Sequence, residues 1–242
     1  MLLKTRGIVF RTVKYGETSV IADIFTEDKG LHTFIAGSVR TAKARMPYNL
    51  FQPMMVVDLV SYFRDEPHAM NRMKELRAAE VWSRIPFDIR HGSVALFMAE
   101  ICRKSIQESE ENRELFDFLL ENLRLLDTTQ HPIANLHLHF LIQLSVFLGF
   151  QPTGEPEPDK EIFFDLKEGT FDSVPPIHPA YLEPDQTQQM LTLLQLQADE
   201  CHEVILNRIE RKALLQKLLQ YYQFHVPGFT DVHTPDILEM VF

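Results

Sequence analysis

A short basic stretch is the part of this sequence best suited to chemistry with a polyanion. Arg40, Lys43 and Arg45 fall within six positions, and no Asp or Glu occurs between Lys29 and Val57. Fixed positive charge attracts a phosphate backbone and releases the counterions that are condensed on it. The pattern predicts that this stretch contacts nucleic acid, and the alternative is a loop whose charges only keep the surface soluble.

The net charge is unevenly distributed along the chain. The 242 residues include 24 Lys and Arg and 34 Asp and Glu, for a net charge of -10. Residues 1–80 carry 12 basic and 9 acidic side chains, a net +3, whereas residues 81–242 carry 12 and 25, a net -13. Salt screens charges beyond about 8 Å, so local charge decides whether a phosphate chain is attracted. This asymmetry predicts two units with different partners.

A second basic cluster lies near the end of the chain, on a helix predicted over residues 207–224. Its members are spaced so that they share or neighbour one helix face: Arg208, Arg211, Lys212 and Lys217. A basic rim beside apolar side chains can take an acidic, aromatic-tipped peptide from a partner protein. The same charges can instead pair with Glu203 and Glu210, and the sequence leaves both interpretations open.

Motifs for catalysis and for metal binding are missing from the sequence. There is no phosphate-binding glycine loop, no Gly-x-Ser-x-Gly elbow, no Cys-x-x-Cys and no His-x-x-x-His. We therefore expect a protein that is not an enzyme and that has no metal, no cofactor and no small-molecule substrate. The chain has only two cysteines, and it has neither an apolar signal segment nor an apolar run long enough to span a membrane. These features predict a cytoplasmic protein with reduced thiols.

The first eighty residues follow the period of β-strands. Apolar and polar residues alternate in five short segments, separated by turn signals such as the one that ends at Gly30. The predicted strands cover residues 7–12, 19–25, 31–36, 54–63 and 70–79. Five strands with one longer connection after the third, over residues 37–53, fit an OB-fold barrel. Most of the aromatic residues in this region are expected to fill its core, and Tyr48, in the basic connection, is the exception.

Beyond residue 81 the apolar period changes to that of helices, and a helical domain is predicted over residues 81–242. A proline-rich insertion at residues 151–184 interrupts it and contains a hairpin signal around Gly169. Phe163, Phe164 and Phe171 in this hairpin need burial, so the insertion is expected to be ordered. The fold class is therefore α+β, with an N-terminal OB-fold barrel followed by an all-helical domain that carries a small hairpin.

Seven short segments resemble those of a known family, in the same order along the chain. They cover residues 4–11, 15–19, 24–26, 29–31, 37–40, 148–152 and 215–228. The family is that of the bacterial DNA-repair protein RecO. The resemblance implies a recombination mediator, without catalytic residues, that binds single- and double-stranded DNA and anneals complementary strands. It implies that RecR and the C-terminal tail of the single-strand-binding protein SSB are partners in loading RecA, and that the protein associates with the nucleoid during repair.

The sequence departs from the family at one place. Many members carry Cys-x-x-Cys pairs that form a zinc site after the Gly-Phe-x-Pro motif, but here no cysteine lies between Pro152 and Cys201. We therefore expect no zinc, and we expect the packing of the hairpin phenylalanines to replace it.

These observations give two sets of candidate residues. Phosphate contacts are expected from basic residues of the barrel, with Tyr48 beside them: Lys4, Arg6, Arg11, Lys14, Arg40, Lys43 and Arg45. Partner contacts are expected from Arg208, Arg211, Lys212 and Lys217. The competing interpretation is a protein-interaction scaffold in a repair complex, with little direct binding of DNA.

Overall fold

A computed structural model describes residues 1–41, 44–64, 66, 69–107, 109–154 and 160–242. The chain forms two compact units, of which one comprises Met1–Phe87 and Met98–Asp127 and the other Asp88–Phe97 and Thr128–Phe242. The domain boundary after residue 80 stays a prediction.

Five strands of the first unit close into a barrel. They are β1 (Leu2–Tyr15), β2 (Ser19–Thr26), β3 (Gly30–Ala36), β4 (Val56–Tyr62) and β5 (Met70–Ala78). The strand order is β1-β2-β3-β5-β4, and only the β3–β5 pair is parallel. The α+β class and the five-stranded barrel predicted from the alternation are confirmed.

The barrel core forms because alternate side chains of each strand turn inward. Val9, Ile24, Phe34 and Leu59 are fully buried there. Position 7 of β1 has space only for glycine, because a Cβ there would lie 2.5 Å from Ile24 Cγ2. The predicted turn at Gly30 is confirmed by its φ of 68°.

The connection between β3 and β4 is anchored in the barrel. Val39 and Phe51 are buried in its core, and a 3-10 helix spans Tyr48–Phe51. The backbone N–H of Arg40 donates to the carbonyl of Thr18 over 3.1 Å. The basic stretch is therefore held against the turn between β1 and β2.

Two helices follow the barrel in sequence, α1 (Ile89–Ser105) and α2 (Arg113–Thr128). Near the end of α2, the buried carboxylate of Asp127 accepts hydrogen bonds of 2.8–3.0 Å from the backbone N–H groups of Ser83, Arg84 and Ile85. This carboxylate fixes the segment that leaves the barrel.

The second unit is built around the buried helix α3 (Leu136–Phe147). The other strands and α-helices that follow it are β6 (Phe163–Asp165), β7 (Thr170–Asp172), β8 (Tyr181–Leu182), α4 (Pro184–Gln195), α5 (Arg208–His225) and α6 (Thr234–Val241). Helix α3 is buried nearly all round, as its apolar composition predicts.

The predicted hairpin is confirmed as β6 and β7, and β8 adds a third strand on the other side of β6. Phe163 and Phe164 are buried, whereas Phe171 is half-buried. The Phe164 ring lies 4.9 Å from that of Phe171 and 5.3 Å from that of Tyr221 on α5. The sheet is thus packed onto α5 by aromatic side chains, and its replacement of a zinc site stays a prediction.

Candidate nucleic-acid interface

The basic connection forms an exposed, positively charged end of the barrel. Arg40 and Arg45 are exposed, and Tyr48 is 42% exposed. Lys43, which was predicted to act with them, lies outside the described residues. Val39 and Phe51 are buried, which anchors the backbone beside Arg40 and Tyr48 in the barrel.

The end of β1 lies against the same connection. The Thr12 hydroxyl donates to the carbonyl of Phe51 over 2.7 Å, and Tyr15 pairs with Ser19 across the β1–β2 turn. Lys14 is exposed here, and Tyr15 is 50% exposed. Expected phosphate contacts from two separate parts of the sequence are thus brought together, with an exposed aromatic ring from each part.

Arg11 projects from the middle of β1 toward solvent. Its side chain is 51% exposed, and its guanidinium lies 4.0 Å from the carboxylate of Asp23 on β2. An exposed ion pair at this distance restrains the guanidinium only weakly. Arg11 therefore keeps donors available for a phosphate.

Arg6 is held inside the first unit. Its Nε and Nη2 donate to the two carboxylate oxygens of Glu27 at 2.8 and 2.9 Å, and its guanidinium lies 5.5 Å from the centre of the Phe116 ring on α2. The hydrogen bond from Arg6 is the main reason why the pKa of Glu27 lies below its usual range. A phosphate would have to compete with this bidentate pair.

Lys4 lies in a groove of mixed charge rather than in a basic one. The groove is lined by the basic residues Lys4, Arg6 and Arg77 and by the acidic residues Glu27, Asp28, Asp58 and Glu75. A strand rises about 3.3 Å per residue, so Lys4 lies roughly 33 Å along β1 from Lys14. The barrel residues proposed from the sequence thus fall into two regions, and only the connection end has a clear excess of positive charge.

An outward-facing row of side chains runs around the barrel through all five strands. Directly paired positions link Val13, Ile21, Ile35, Arg72, Tyr62 and Leu2 in that order. Leu2 is 56% and Tyr62 is 55% exposed, and Arg72 is exposed between Tyr62 and Ile35. The row therefore presents an accessible apolar and aromatic surface with a cation at its centre.

The exposed tyrosines correct part of the sequence interpretation. Burial is confirmed for five phenylalanines, namely Phe10, Phe25, Phe34, Phe51 and Phe63, of which Phe34 and Phe51 belong to the barrel core and Phe25 stacks on Phe116 of α2. The prediction of core packing is wrong for Tyr15 and Tyr62, which face solvent because a phenol hydroxyl needs a hydrogen-bond partner that a barrel core does not supply.

Arg72 and Lys74 were missed in the sequence as candidates for phosphate contact. Both are exposed on β5, and they alternate with the buried residues Asn71 and Met73. Period-two alternation of cationic and buried positions was the signal that could have found them.

The basic cluster of α5 divides according to burial. Arg211 donates from Nε to Asn135 Oδ1 over 3.1 Å and from Nη2 to the Leu206 carbonyl over 3.0 Å. Burial lowers its pKa. Arg211 is therefore part of the packing of the second unit rather than a free surface charge.

The other three cationic side chains of the cluster lie nearer the surface. Lys217 Nζ donates to the carbonyl of Pro179 over 3.3 Å. Lys212 is paired with Glu239 on α6 rather than with Glu203 or Glu210, and Glu210 instead closes a capping box with Asn207. The alternative interpretation, in which a cation of this cluster pairs with an acidic side chain, thus holds for Lys212, but its partner is Glu239.

Within the described ranges, no cluster of three or more His, Cys, Asp or Glu side chains could hold a metal ion. Cys102 and Cys201 are free and buried, and burial raises the pKa of the Cys201 thiol to about 12. None of the helices in the described part of the chain has the length and apolar character needed to cross a membrane.

Two family models together match almost the whole chain. "Recombination protein O N terminal" matches residues 1–82, and "Recombination protein O C terminal" matches residues 86–231. Three relatives, each named DNA repair protein RecO, align over the full length of both chains. They come from Bacteroides fragilis, Phocaeicola vulgatus and Flavobacterium psychrophilum and are 35%, 33% and 31% identical to this chain. With both halves matched and full-length relatives above 30% identity, the chain belongs to the RecO family.

Proposed function

We propose that this protein acts in recombinational DNA repair by binding single-stranded DNA through its barrel and annealing complementary strands. Together with RecR, it would help to load RecA onto DNA that is coated with SSB. In this proposal it also binds double-stranded DNA, carries out no catalysis of its own, and uses no metal and no cofactor. The repair role extends to this chain what the names of its relatives state.

The observation that carries the proposal is the exposed basic end of the barrel. Lys14, Arg40 and Arg45 are exposed at this end of the barrel, and Tyr15 and Tyr48 are exposed beside them. Cations that track a phosphate backbone, combined with aromatic rings on which bases stack, are the two components of single-strand binding by OB folds.

The same chemistry suits annealing. Contacts to phosphate carry no sequence information, and stacking uses the faces of the bases rather than their edges. A strand held in this way keeps its pairing edges free for a complementary strand. The interface would therefore bind any sequence and leave its bases free to pair.

The second unit is proposed to supply the protein contacts. The surface cations of α5 suit an acidic tail with an aromatic end, which is the chemistry proposed for the SSB tail. Residues 81–242 carry a net charge of -13, so most of this region repels DNA and is better suited to protein partners.

The alternative function is a scaffold that holds a repair complex together and touches DNA only through its partners. The acidic character of residues 81–242 favours this function for that half of the chain. It predicts no measurable affinity of the purified protein for a single strand at low salt.

Titration of labelled single-stranded DNA, followed by fluorescence anisotropy at several salt concentrations, tests the proposal. The Arg40→Glu/Arg45→Glu variant is compared with Arg77→Glu/Arg103→Glu, which changes the net charge equally at exposed positions elsewhere. Each phosphate contact contributes about 0.7 to the log–log salt slope for single strands, so two lost contacts flatten it by about 1.4. Equal slopes for the two variants would remove the connection from the DNA path, and absence of binding by the unmodified protein would favour the scaffold.

A further inference from the structure

The short helix α6 covers part of the basic cluster of α5. Glu239 makes two contacts with α5: its carboxylate lies 2.8 Å from Lys212 Nζ, and its backbone carbonyl accepts a hydrogen bond from the Arg208 guanidinium. Two of the four cations proposed for partner binding are therefore already engaged by a segment of the same chain.

An apolar contact lies beside this polar one. Leu238 is 3% exposed, and together with Leu215 of α5 it lines a hollow whose rim is formed by Arg208, Arg211 and Lys212. The Phe242 ring lies 6.4 Å from the ring of His137, at an interplanar angle of 17°. His137 is fully buried, and burial lowers its pKa to about 3, so the imidazole is uncharged at neutral pH. The hollow is thus uncharged inside, and its rim carries three cations together with the carboxylate of Glu239.

The segment that forms one wall of this hollow has the chemistry expected of the partner. Residues 234–242 contain Asp236 and Glu239, no basic residue, and the aromatic residue Phe242. An acidic, aromatic-tipped peptide is what the basic face of α5 was proposed to take from another protein. The chain's own C-terminal segment therefore has the chemistry that the proposed function requires of a peptide from a partner protein.

The helix is also held by few side chains. Leu238 is the one residue of α6 that is buried, whereas Ile237 is 40% and Met240 is 85% exposed. The Lys212–Glu239 pair is partly exposed and therefore weak. An eight-residue helix is unstable without its packing partner, so release of α6 would be coupled to its unfolding.

We propose that residues 234–242 are an intramolecular ligand that covers the face of α5 carrying Arg208 and Lys212 and must leave before an acidic, aromatic-tipped peptide of a partner binds there. The inference rests on the proposed function, because it regulates the partner site named there. Residues 234–242 and the partner peptide would compete for the same cations, so only one of them can bind at a time. The larger the fraction of molecules with α6 in place, the lower the apparent affinity for the partner.

Peptide binding to the full chain and to a chain that ends at residue 233 tests this inference. Two fluorescein-labelled probes are titrated in anisotropy experiments, namely a peptide copy of residues 234–242 and a synthetic SSB tail peptide. We expect both probes to bind the shortened chain at least tenfold more tightly than the full chain. Lys212→Glu in the shortened chain should remove most of this binding.

A second variant makes the test independent of whether the shortened chain folds. Glu239→Lys in the full chain places like charges together and should release α6, which raises the affinity for both probes. Met240→Lys adds a charge at an exposed neighbouring position and should leave both affinities unchanged. Circular dichroism of every variant verifies that the remaining helices are intact.

The outcomes separate the inference from the proposed function. Equal binding of the SSB peptide to the full and the shortened chain would overturn the inference and leave the partner in place. Binding of the peptide copy alone, to the open forms only, would support α6 as an intramolecular ligand and reject SSB as the partner. If neither probe binds the open forms, the inference is overturned.

Discussion

Tyr62 and Arg72 lie directly opposite each other on β4 and β5, and both side chains are exposed. Side chains at directly paired positions of neighbouring strands are about 5 Å apart at Cβ, so a ring and a guanidinium are presented together. A base can stack on either group, and Arg72 can also reach a phosphate. This pair extends the candidate interface from the connection to the outer face of β4 and β5.

Replacing Tyr62 by Ala should weaken binding of single-stranded DNA by about 1–3 kcal/mol, because one stacking platform is lost. The salt dependence should be nearly unchanged, since no charge is removed. Anisotropy titration measures both quantities, and Tyr62→Phe, which keeps the ring, is the control. A loss of the same size in Tyr62→Phe would show that the ring face is not what DNA uses.

Replacing Arg72 by Gln should instead reduce the salt slope by about 0.7, the contribution of one phosphate contact. Arg77→Gln is the matched control, because Arg77 is an exposed arginine on the same strand but lies directly opposite the acidic Asp58 of β4. If the two variants behave alike, the β5 surface is outside the DNA path.

Charge reversal at Arg40 and Arg45 should weaken binding to all single-stranded sequences by the same factor, because phosphate contacts do not read bases. Competition between homopolymers and a mixed sequence measures this. A loss restricted to one sequence would mean that the connection reads base edges.

Arg6→Gln should lower the free energy of unfolding by about 1–3 kcal/mol, because the buried carboxylate of Glu27 loses its bidentate donor. Lys4→Gln removes a nearby exposed charge and should leave stability within about 0.5 kcal/mol of the original value. Urea unfolding of both variants measures the difference. Equal stabilities would show that the Arg6–Glu27 pair does not hold the first unit together.

Acid should destabilise the first unit through Glu27 and Asp127. The pKa of Glu27 lies below its usual range because of the hydrogen bond from Arg6. Burial acts to raise the pKa of Asp127, but hydrogen bonds from the backbone of residues 83–85 outweigh it, so that pKa is also lowered.

A carboxylate with a lowered pKa in the folded state contributes stability above its unfolded value, which is about 4 for both residue types. This stability is lost as the pH falls through the folded values. We therefore expect the stability contributed by these two carboxylates to be constant near neutral pH and to decline below about pH 4.5, whereas the buried, uncharged His137 already lowers the free energy of unfolding below about pH 6.5. Urea titrations across this range measure the decline, and the Glu27→Gln/Asp127→Asn variant should show a shallower one.

The order and type of the barrel strands, the hairpin and the main helices were determined by the sequence alone, whereas β8 was not foreseen. Alternation in residues 7–79 and helical periodicity after residue 81 predicted the five barrel strands and the main helices, because both periods are local properties of the chain. The basic connection was also visible, since a stretch without acidic residues needs no structure to be recognised.

The tertiary structure decided which of those charges are available. Arg6 and Arg11 belong to the same strand and look alike in the sequence, yet Arg6 is bound to Glu27 and Arg11 remains largely exposed. Likewise, Lys212 pairs with Glu239, 27 positions away, rather than with an acidic neighbour on its own helix. Pairing of this kind depends on which distant segments meet, and local periodicity carries no information about that.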